Sequence, residues 1–158
     1  MFKSASHLAE ATRTQICQSL NSALADGLDL HSQLKVAHWN VKGPLFATLH
    51  PLFESLAAGV AEHNDAIAER AVILGGRAYG TARHAAASSR LPEYPQETTR
   101  DLDHVRALTE RFGAYLAGLR LARSVAEHGG DTDTVDLLTG IISDGEKHAW
   151  FLHATLGG

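Results

Sequence analysis

The segment AHWNVKGPLFATLH, residues 37–50, decides how the chain folds, because it places a helix break between two histidines. Gly43-Pro44 joins a residue that favours the end of a helix to one that cannot continue it. His38 and His50 stand on either side of this break, twelve positions apart. The segment therefore predicts two helices joined by a short turn, with one imidazole near each of the facing ends.

Apolar residues recur at steps of three and four along four segments, which predicts four long amphipathic helices. The first includes Ile16 and Ala37 and stops near Asn40. The second runs from about residue 48 to residue 74, with Thr48 as its expected N-cap. Pro51 then falls in the first turn of the second helix, where a proline costs no helical hydrogen bond.

A connector follows from about residue 79 to residue 96, where three alanines and two prolines predict a short helix with turns. The third long helix closes at Gly129-Gly130, and the fourth follows it. No window of the sequence alternates as a strand would. The sequence thus predicts an all-α fold of one domain, residues 1–158. Its architecture is a four-helix bundle with a short extra helix between the second and third long helices.

The composition is that of a globular chain without a strong positive charge. The chain has 158 residues, of which 44% are hydrophobic and 20% charged, and its formal net charge is −4. A negative net charge disfavours passive attraction to nucleic acid or to anionic lipid. No run approaches the roughly 20 apolar residues that span a bilayer, and the first residues lack the apolar core of a signal peptide. We therefore expect a cytoplasmic protein that does not bind membranes.

Two pairs of candidate metal ligands lie along the second helix at steps of four. His50 and Glu54 form one pair, and Asp65 and Glu69 form the other. Imidazole and carboxylate together suit iron or manganese, although acidic residues on a helix are more often solvated surface. His50 and Asp65 are fifteen positions apart, roughly 22 Å along a helix, so they cannot hold one ion within one chain.

A shared ion would need two chains, with their second helices antiparallel about a two-fold axis. Such an axis would cross the helix near residues 57–58, where the sequence reads Ala57-Ala58-Gly59 and Ala61 follows. Small side chains let two backbones approach closely, but they would suit packing within the chain equally well. A composite site at a dimer interface is therefore one hypothesis and intrachain packing the other.

His38 lies one short turn before the second helix and can approach His50 from the same chain. The spacing of these histidines and the three carboxylates, together with HWNVKG, AER, LPEYP and EKHAWFLHA, closely resembles the Dps proteins. These are ferritin-like mini-ferritins that protect DNA during starvation. The resemblance covers nearly the whole chain. It implies a ferritin-like four-helix bundle and assembly as a hollow homo-dodecamer with tetrahedral symmetry.

The resemblance also implies roles for the ligand residues. His38 and His50 of one subunit, with Asp65 and Glu69 of its two-fold mate, would form a ferroxidase centre. There hydrogen peroxide would oxidise the Fe(II) substrate, and the Fe(III) product would mineralise inside the shell. Glu54 occupies an auxiliary acidic position that is often Asp in the family, which leaves the coordination of a second iron open. No haem is expected, because the chain has a single methionine.

Two tryptophans and three further acidic residues also match family positions. Trp39 and Trp150 would lie near the centre and quench radicals, although core packing would account for both equally well. Asp131, Asp133 and Asp136, at the start of the fourth long helix, would line a three-fold pore for cations. Helix capping favours Asp at the same place without any pore.

Two other classes of protein are alternatives to an iron-sequestering ferroxidase. A ferritin or bacterioferritin would build its di-iron centre on Glu-x-x-His pairs, and the sequence contains none. A nucleoid protein would act mainly by direct binding and compaction of DNA. Relatives that bind DNA strongly often use a flexible Lys/Arg-rich terminal tail, and the sequence shows none. We therefore expect weak or absent DNA binding, and we leave association with the nucleoid open.

Overall fold

The computed structural model describes residues 1–157, which form five helices and no strand. The helices are α1 (Glu10–Asn40), α2 (Phe46–Ile73), α3 (Ala82–Ser88), α4 (Asp101–His128) and α5 (Thr132–Thr155). The four long helices are those that the apolar periodicity predicts, and α3 is the short helix expected in the connector. The predicted all-α fold, with four long helices and a short helix in the connector, is confirmed.

The long helices pack as two pairs around one core. α1 lies along α2 and α4, α4 lies along α5, and α3 packs against α1. Burying one large apolar side chain stabilises a fold by about 1.5–3 kcal/mol, so a continuous stripe on each helix is needed to hold four of them together. On α5 the stripe consists of Leu138, Ile141, Ile142 and Leu152. On the other three long helices and their ends it includes the largest fully buried side chains: Ile16, Leu20, Leu30, Leu34, Leu49, Phe53, Leu56, Ile67, Leu74, Leu108, Phe112 and Tyr115. Across the described helices, none has the length and hydropathy to span a lipid bilayer.

The start of α2 differs from the prediction. The helix begins at Phe46, and Leu45 stands at the N-cap without a capping side chain of its own. A carboxylate from a distant part of the chain does the capping, since Asp101 accepts a hydrogen bond from the Leu45 backbone N–H at 3.0 Å. The prediction that Thr48 caps the helix is therefore wrong. Pro51 lies in the second turn instead of the first, where it costs one helical hydrogen bond.

The turn between α1 and α2 is fixed by its contacts with the start of α4. Gly43 has a φ of +133°, and a Cβ at that position would lie 2.5 Å from a carboxylate oxygen of Asp101, so glycine is required on both counts. The Lys42 backbone donates to the Thr99 carbonyl at 2.8 Å and accepts from the Asp101 N–H at 2.9 Å. These bonds hold the facing ends of α1 and α2 in one arrangement, and the two histidines lie on those ends.

Candidate metal site at the α1–α2 turn

The two histidines beside the turn stack on each other and share reciprocal hydrogen bonds. The His38 and His50 ring centroids are 3.8 Å apart, with an interplanar angle of 22°. Each Nδ1 lies 2.8 Å from the backbone carbonyl of the other histidine. A carbonyl can only accept, so each neutral ring carries its hydrogen on Nδ1 and keeps a free lone pair on Nε2. Both rings are therefore held in the tautomer that binds a metal through Nε2.

Glu54 and Lys35 complete this group. The His38 Nε2 is 3.4 Å from Glu54 Oε2, and the Lys35 ammonium forms an ion pair with the same oxygen. The hydrogen bond from Lys35 lowers the pKa of the Glu54 carboxyl, so Glu54 is ionised at neutral pH. Its side chain is half exposed. A cation could bind beside His38 and Glu54 only if the Lys35 ammonium moved away from the shared oxygen.

Asp65 and Glu69 do not join this group within the chain. Both are exposed on α2, which runs without interruption through His50 and Asp65. Fifteen residues of continuous helix correspond to roughly 22 Å, so these carboxylates lie far from the histidines. Over residues 1–157, no three side chains of His, Cys, Asp or Glu are grouped to hold a metal ion. One chain thus presents its candidate ligands in two separate places.

One exposed face of α2 connects the two places. Its members share exposure and steps of three or four, and they are Glu54, Ala58, Ala61, Asp65 and Glu69. Two of the small residues predicted at a helix contact, Ala58 and Ala61, lie on this face. The other two serve the packing of the chain itself. Ala57 is buried, and a Cβ on Gly59 would lie 2.9 Å from the His148 ring.

Both tryptophans lie on the surface of the chain. Trp39 is 67% exposed and Trp150 is 62% exposed, so the alternative that they are core residues of the single chain is wrong. The Lys35 Nζ lies 5.8 Å from the centroid of the Trp39 ring, within the range of a cation–π contact. The Trp150 ring packs on Phe151, with centroids 5.1 Å apart. Large exposed aromatic side chains are typical of surfaces that another molecule covers.

The three aspartates at the start of α5 have different environments. Asp131 is the N-cap, is 4% exposed, and binds the Thr134 backbone N–H at 3.2 Å and the Arg70 guanidinium at 2.7 Å. Capping and ion pairing therefore account for Asp131. Asp133 and Asp136 are exposed. A role for the three residues in a cation pore stays a prediction.

A second histidine pair, which no spacing in the sequence predicts, lies between α2 and α5. The Asp144 Oδ2 is 3.0 Å from His63 Nε2 and 3.8 Å from His148 Nε2. The Nδ1 atoms of both rings are buried without a hydrogen-bond partner within residues 1–157. Burial lowers the pKa of His148. The only local sequence signal for this cluster is the step of four between Asp144 and His148.

Known proteins resemble the chain over nearly its whole length. A family model described as a ferritin-like domain matches residues 17–158. A DNA protection during starvation protein from Agrobacterium fabrum is 36% identical over 152 residues, which cover 96% of this chain and 94% of that protein. DNA protection during starvation protein 2 from Bacillus anthracis is 37% identical over 142 residues, 90% of this chain and 97% of that protein.

A solved structure agrees with these sequence comparisons. DpsC from Streptomyces coelicolor superposes with a TM-score of 0.92 at 34% identity, covering 99% of this chain and 90% of that chain. The bundle and the matched family model define a ferritin-like protein. Within that class, the chain belongs to the Dps family.

Proposed function

We propose that this protein is an iron-sequestering ferroxidase. It oxidises Fe(II), with hydrogen peroxide as the preferred oxidant, at sites that two subunits build together, and it stores ferric mineral in a hollow dodecamer. The observation that carries the proposal is the His38–His50 pair, whose Nδ1 atoms are bound to backbone carbonyls while the Nε2 lone pairs stay free. Two oriented imidazoles beside an ionised carboxylate suit Fe(II) and leave open positions for an oxidant.

The missing carboxylates come from a two-fold mate. Three pairs of residues on α2 share one midpoint along the helix: His50 with Glu69, Glu54 with Asp65, and Ala58 with Ala61. That midpoint falls between Gly59 and Val60, slightly beyond the crossing expected near residues 57–58. Identical helices that cross antiparallel at a two-fold axis bring the members of each such pair opposite each other. A single two-fold axis would therefore place the histidines of each subunit opposite the carboxylates of the other.

The crossing point also suits close approach of two helices. Ala58 and Ala61 are exposed and small, so the α2 backbones of two subunits can come together there. The interface then carries two equivalent sites, one on each side of the axis. In each site, His38 and His50 of one subunit bind iron through Nε2, and Asp65 and Glu69 of the other add carboxylates. Glu54 is the auxiliary ligand, available once Lys35 releases it.

The reaction that this site performs avoids free radicals. Two Fe(II) ions supply the two electrons that reduce one hydrogen peroxide to two water molecules, with two protons taken up. No hydroxyl radical is released, whereas one Fe(II) acting alone would produce one. The Fe(III) product then hydrolyses and mineralises inside the shell. This chemistry would protect DNA and the cell from oxidative damage, in keeping with the names of the related proteins.

Entry of the ion and quenching of radicals are secondary parts of the proposal. Asp136 lines a surface pocket of about 460 Å³ beside Glu127, so this end of α5 attracts cations. Asp133 adds a carboxylate that is 84% exposed and lies 3.8 Å from the Arg70 guanidinium, and Asp131 supports the turn as the helix cap. Trp39 and Trp150, exposed on each single chain, would be covered in the assembly and would donate electrons to oxidants that escape the centre.

Anaerobic titration with Fe(II), followed by hydrogen peroxide, tests the proposal. The wild-type protein should oxidise about two Fe(II) per peroxide, as a two-metal site requires. His50→Ala and Asp65→Ala should remain assembled by size-exclusion mass and oxidise iron far more slowly. His128→Ala and Glu97→Ala remove an exposed histidine and an exposed connector carboxylate outside the ligand set and the proposed interface, and they should behave as wild type.

If His50→Ala and Asp65→Ala oxidise iron as fast as wild type, the ferroxidase proposal is wrong and the histidine pair is structural. A gel-shift assay at several salt concentrations would then test the alternative, a nucleoid protein that compacts DNA. Strong binding that weakens steeply with salt would favour that alternative.

A further inference from the structure

A buried tyrosine and histidine form a short hydrogen bond behind the α1–α2 turn. Tyr94, in the connector before α4, is 4% exposed, and His104, in the first turn of α4, is fully buried. The Tyr94 hydroxyl lies 2.5 Å from His104 Nδ1. The two rings are nearly parallel, with centroids 6.0 Å apart. Within residues 1–157 the hydroxyl has no other hydrogen-bond partner, and we assign the hydrogen of this bond to Oη and the accepting lone pair to Nδ1 of His104.

The surroundings keep this proton on oxygen while leaving a base next to it. Burial raises the pKa of the Tyr94 hydroxyl, and the nearby Arg111 guanidinium acts in the opposite direction. Burial lowers the pKa of His104, opposed by the Asn40 backbone and by the carboxylates of Asp103 and Asp101. At neutral pH the phenol is therefore protonated and the imidazole is neutral.

We propose that Tyr94 and His104 form a redox site that donates one electron at a time. An electron leaves the phenol as its proton passes from Oη to Nδ1 of His104, which produces a neutral phenoxyl radical and an imidazolium. The electron reduces a one-electron oxidant derived from hydrogen peroxide, such as a hydroxyl radical, to hydroxide. A further Fe(II) then returns one electron to the radical and becomes Fe(III), while the proton returns to Tyr94. The radical comes from the uncoupled reaction of a single Fe(II) with hydrogen peroxide, which yields Fe(III), hydroxide and a hydroxyl radical, so the inference rests on the proposed ferroxidase function for its iron and peroxide.

His104 is needed because a buried phenol cannot lose an electron alone at low cost. Without proton transfer, oxidation would leave an unpaired positive charge on a ring that is shielded from water. The 2.5 Å hydrogen bond gives the proton a short path to a base. Asp101 and Asp103 stabilise the imidazolium that forms. Arg111 opposes it, although its own charge is partly balanced by Glu110, whose carboxylate is 2.6 Å away.

One buried aromatic ring lies between this pair and the segment of α2 that carries candidate metal ligands. The Phe53 ring lies edge-on to His104, with centroids 6.3 Å apart, and Phe53 is fully buried. Along α2, Phe53 stands between His50 and Glu54. The order Tyr94, His104, Phe53 thus leads from the connector to the buried side of α2, in the segment that carries His50 and Glu54.

Tyr115 provides a matched comparison within the same fold. It is fully buried, and burial raises its pKa as well. Its hydroxyl has no hydrogen-bond partner in the described part of the chain, so no base lies ready to accept its proton. Burial alone is therefore shared by Tyr94 and Tyr115, while the proton acceptor belongs to Tyr94 only.

Freeze-quench electron paramagnetic resonance on the assembled protein, after addition of Fe(II) and hydrogen peroxide, tests the inference. The chain has three tyrosines, which can be replaced one at a time. Tyr94→Phe should abolish the tyrosyl signal, whereas Tyr115→Phe and Tyr79→Phe should keep it. A signal that persists in Tyr94→Phe would overturn the assignment. His104→Gln keeps the phenol and removes the base, so the radical yield should fall, and an unchanged yield would refute the role of His104.

An iron-free experiment separates this inference from the proposed function. A photogenerated ruthenium(III) tris-bipyridine oxidant is applied to the protein in a Tyr79→Phe background, which removes the exposed tyrosine. A tyrosyl signal that depends on Tyr94, in a protein that does not oxidise Fe(II), would contradict the ferroxidase proposal and support the redox pair. Rapid Fe(II) oxidation with no Tyr94-dependent signal in either experiment would support the ferroxidase proposal and contradict the redox pair.

Discussion

The molecule contains two histidine pairs that differ in which ring nitrogen is occupied. In the His38–His50 pair, each Nδ1 meets a backbone carbonyl, and within residues 1–157 neither Nε2 makes a hydrogen bond, although that of His38 lies 3.4 Å from Glu54 Oε2. In the His63–His148 pair, the Nε2 atoms face Asp144 and the Nδ1 atoms are buried without partners in the described residues. Metal-binding histidines are oriented by a hydrogen bond from the nitrogen that does not bind. The first pair is thus prepared for an external cation, whereas the second is engaged within its own chain.

The largest expected effect is on iron oxidation. His38→Ala should slow Fe(II) oxidation by about 100-fold or more, because losing even an outer-shell partner of a metal site costs 10–100-fold. His63→Ala removes an imidazole from the other pair and should leave the rate within about twofold, since no ligand is lost. Stopped-flow absorbance of Fe(III) formation compares the two. Equal losses of rate in both variants would show that the two histidine pairs do not differ in their role in iron oxidation.

The next effect is on stability and belongs to the second pair. Asp144→Ala leaves the His63 Nε2–H, on a side chain only 12% exposed, without its acceptor, which should cost about 1–3 kcal/mol. Glu146→Ala on the same helix breaks only the exposed pair with Arg120 and should cost at most about 1 kcal/mol. Thermal melting followed by circular dichroism measures both. A larger loss for Glu146→Ala would contradict the assigned hydrogen bond.

Acid should weaken the fold through its buried histidines. Burial lowers the pKa of His148 and of His104, so below about pH 6.5 the unfolded chain takes up protons that the folded chain does not. Stability therefore falls as the pH drops from about 6.5 towards the folded pKa values, with a limiting slope of about 1.4 kcal/mol per pH unit for each group. Melting temperatures from pH 8 to pH 5.5 should decline, and His148→Gln should flatten the decline. A melting temperature that rises on acidification would contradict this prediction.

The smallest effect concerns the ion pair beside the first histidines. Lys35→Gln removes a positive charge in contact with Glu54, and an exposed unit charge at this range is worth roughly 1 kcal/mol. Anaerobic Co(II) affinity, with Co(II) as a stand-in for Fe(II), should therefore rise about two- to tenfold. Lys42→Gln removes an exposed lysine from the nearby turn and should change little. A fall in affinity would mean that Lys35 assists the binding of the cation.

Much of the fold follows from local sequence. The apolar periodicity and the glycine pairs determine four long helices and their ends, because each signal acts within a few residues. The N-cap of α2 does not follow, since the capping carboxylate of Asp101 lies 56 positions from Leu45. Thr48 is a residue type that often caps a helix, but the tertiary contact between Asp101 and Leu45 starts α2 two residues earlier, at Phe46.

The contacts of the candidate site and of the other buried histidines also differ in how far the sequence predicts them. The closeness of His38 and His50 is predictable, because one short turn separates the helix ends that carry them. The His63–Asp144 contact spans 81 positions, and no spacing in the sequence indicates it. The Tyr94–His104 bond spans only 10 positions, but a connector with two prolines lies between the helical segments, so no helical periodicity predicts its geometry.

Each proposed iron site is built by two subunits, and mixed assemblies of two inactive variants test this most directly. His50→Ala and Asp65→Ala each destroy every composite site in a pure assembly. In a dimer that pairs one chain of each, one of the two sites receives an intact His50 and an intact Asp65. Random mixing by co-refolding should therefore restore iron oxidation to about a quarter of the wild-type sites, since half of the dimers are mixed. Mixed assemblies no more active than their inactive parents would contradict the claim.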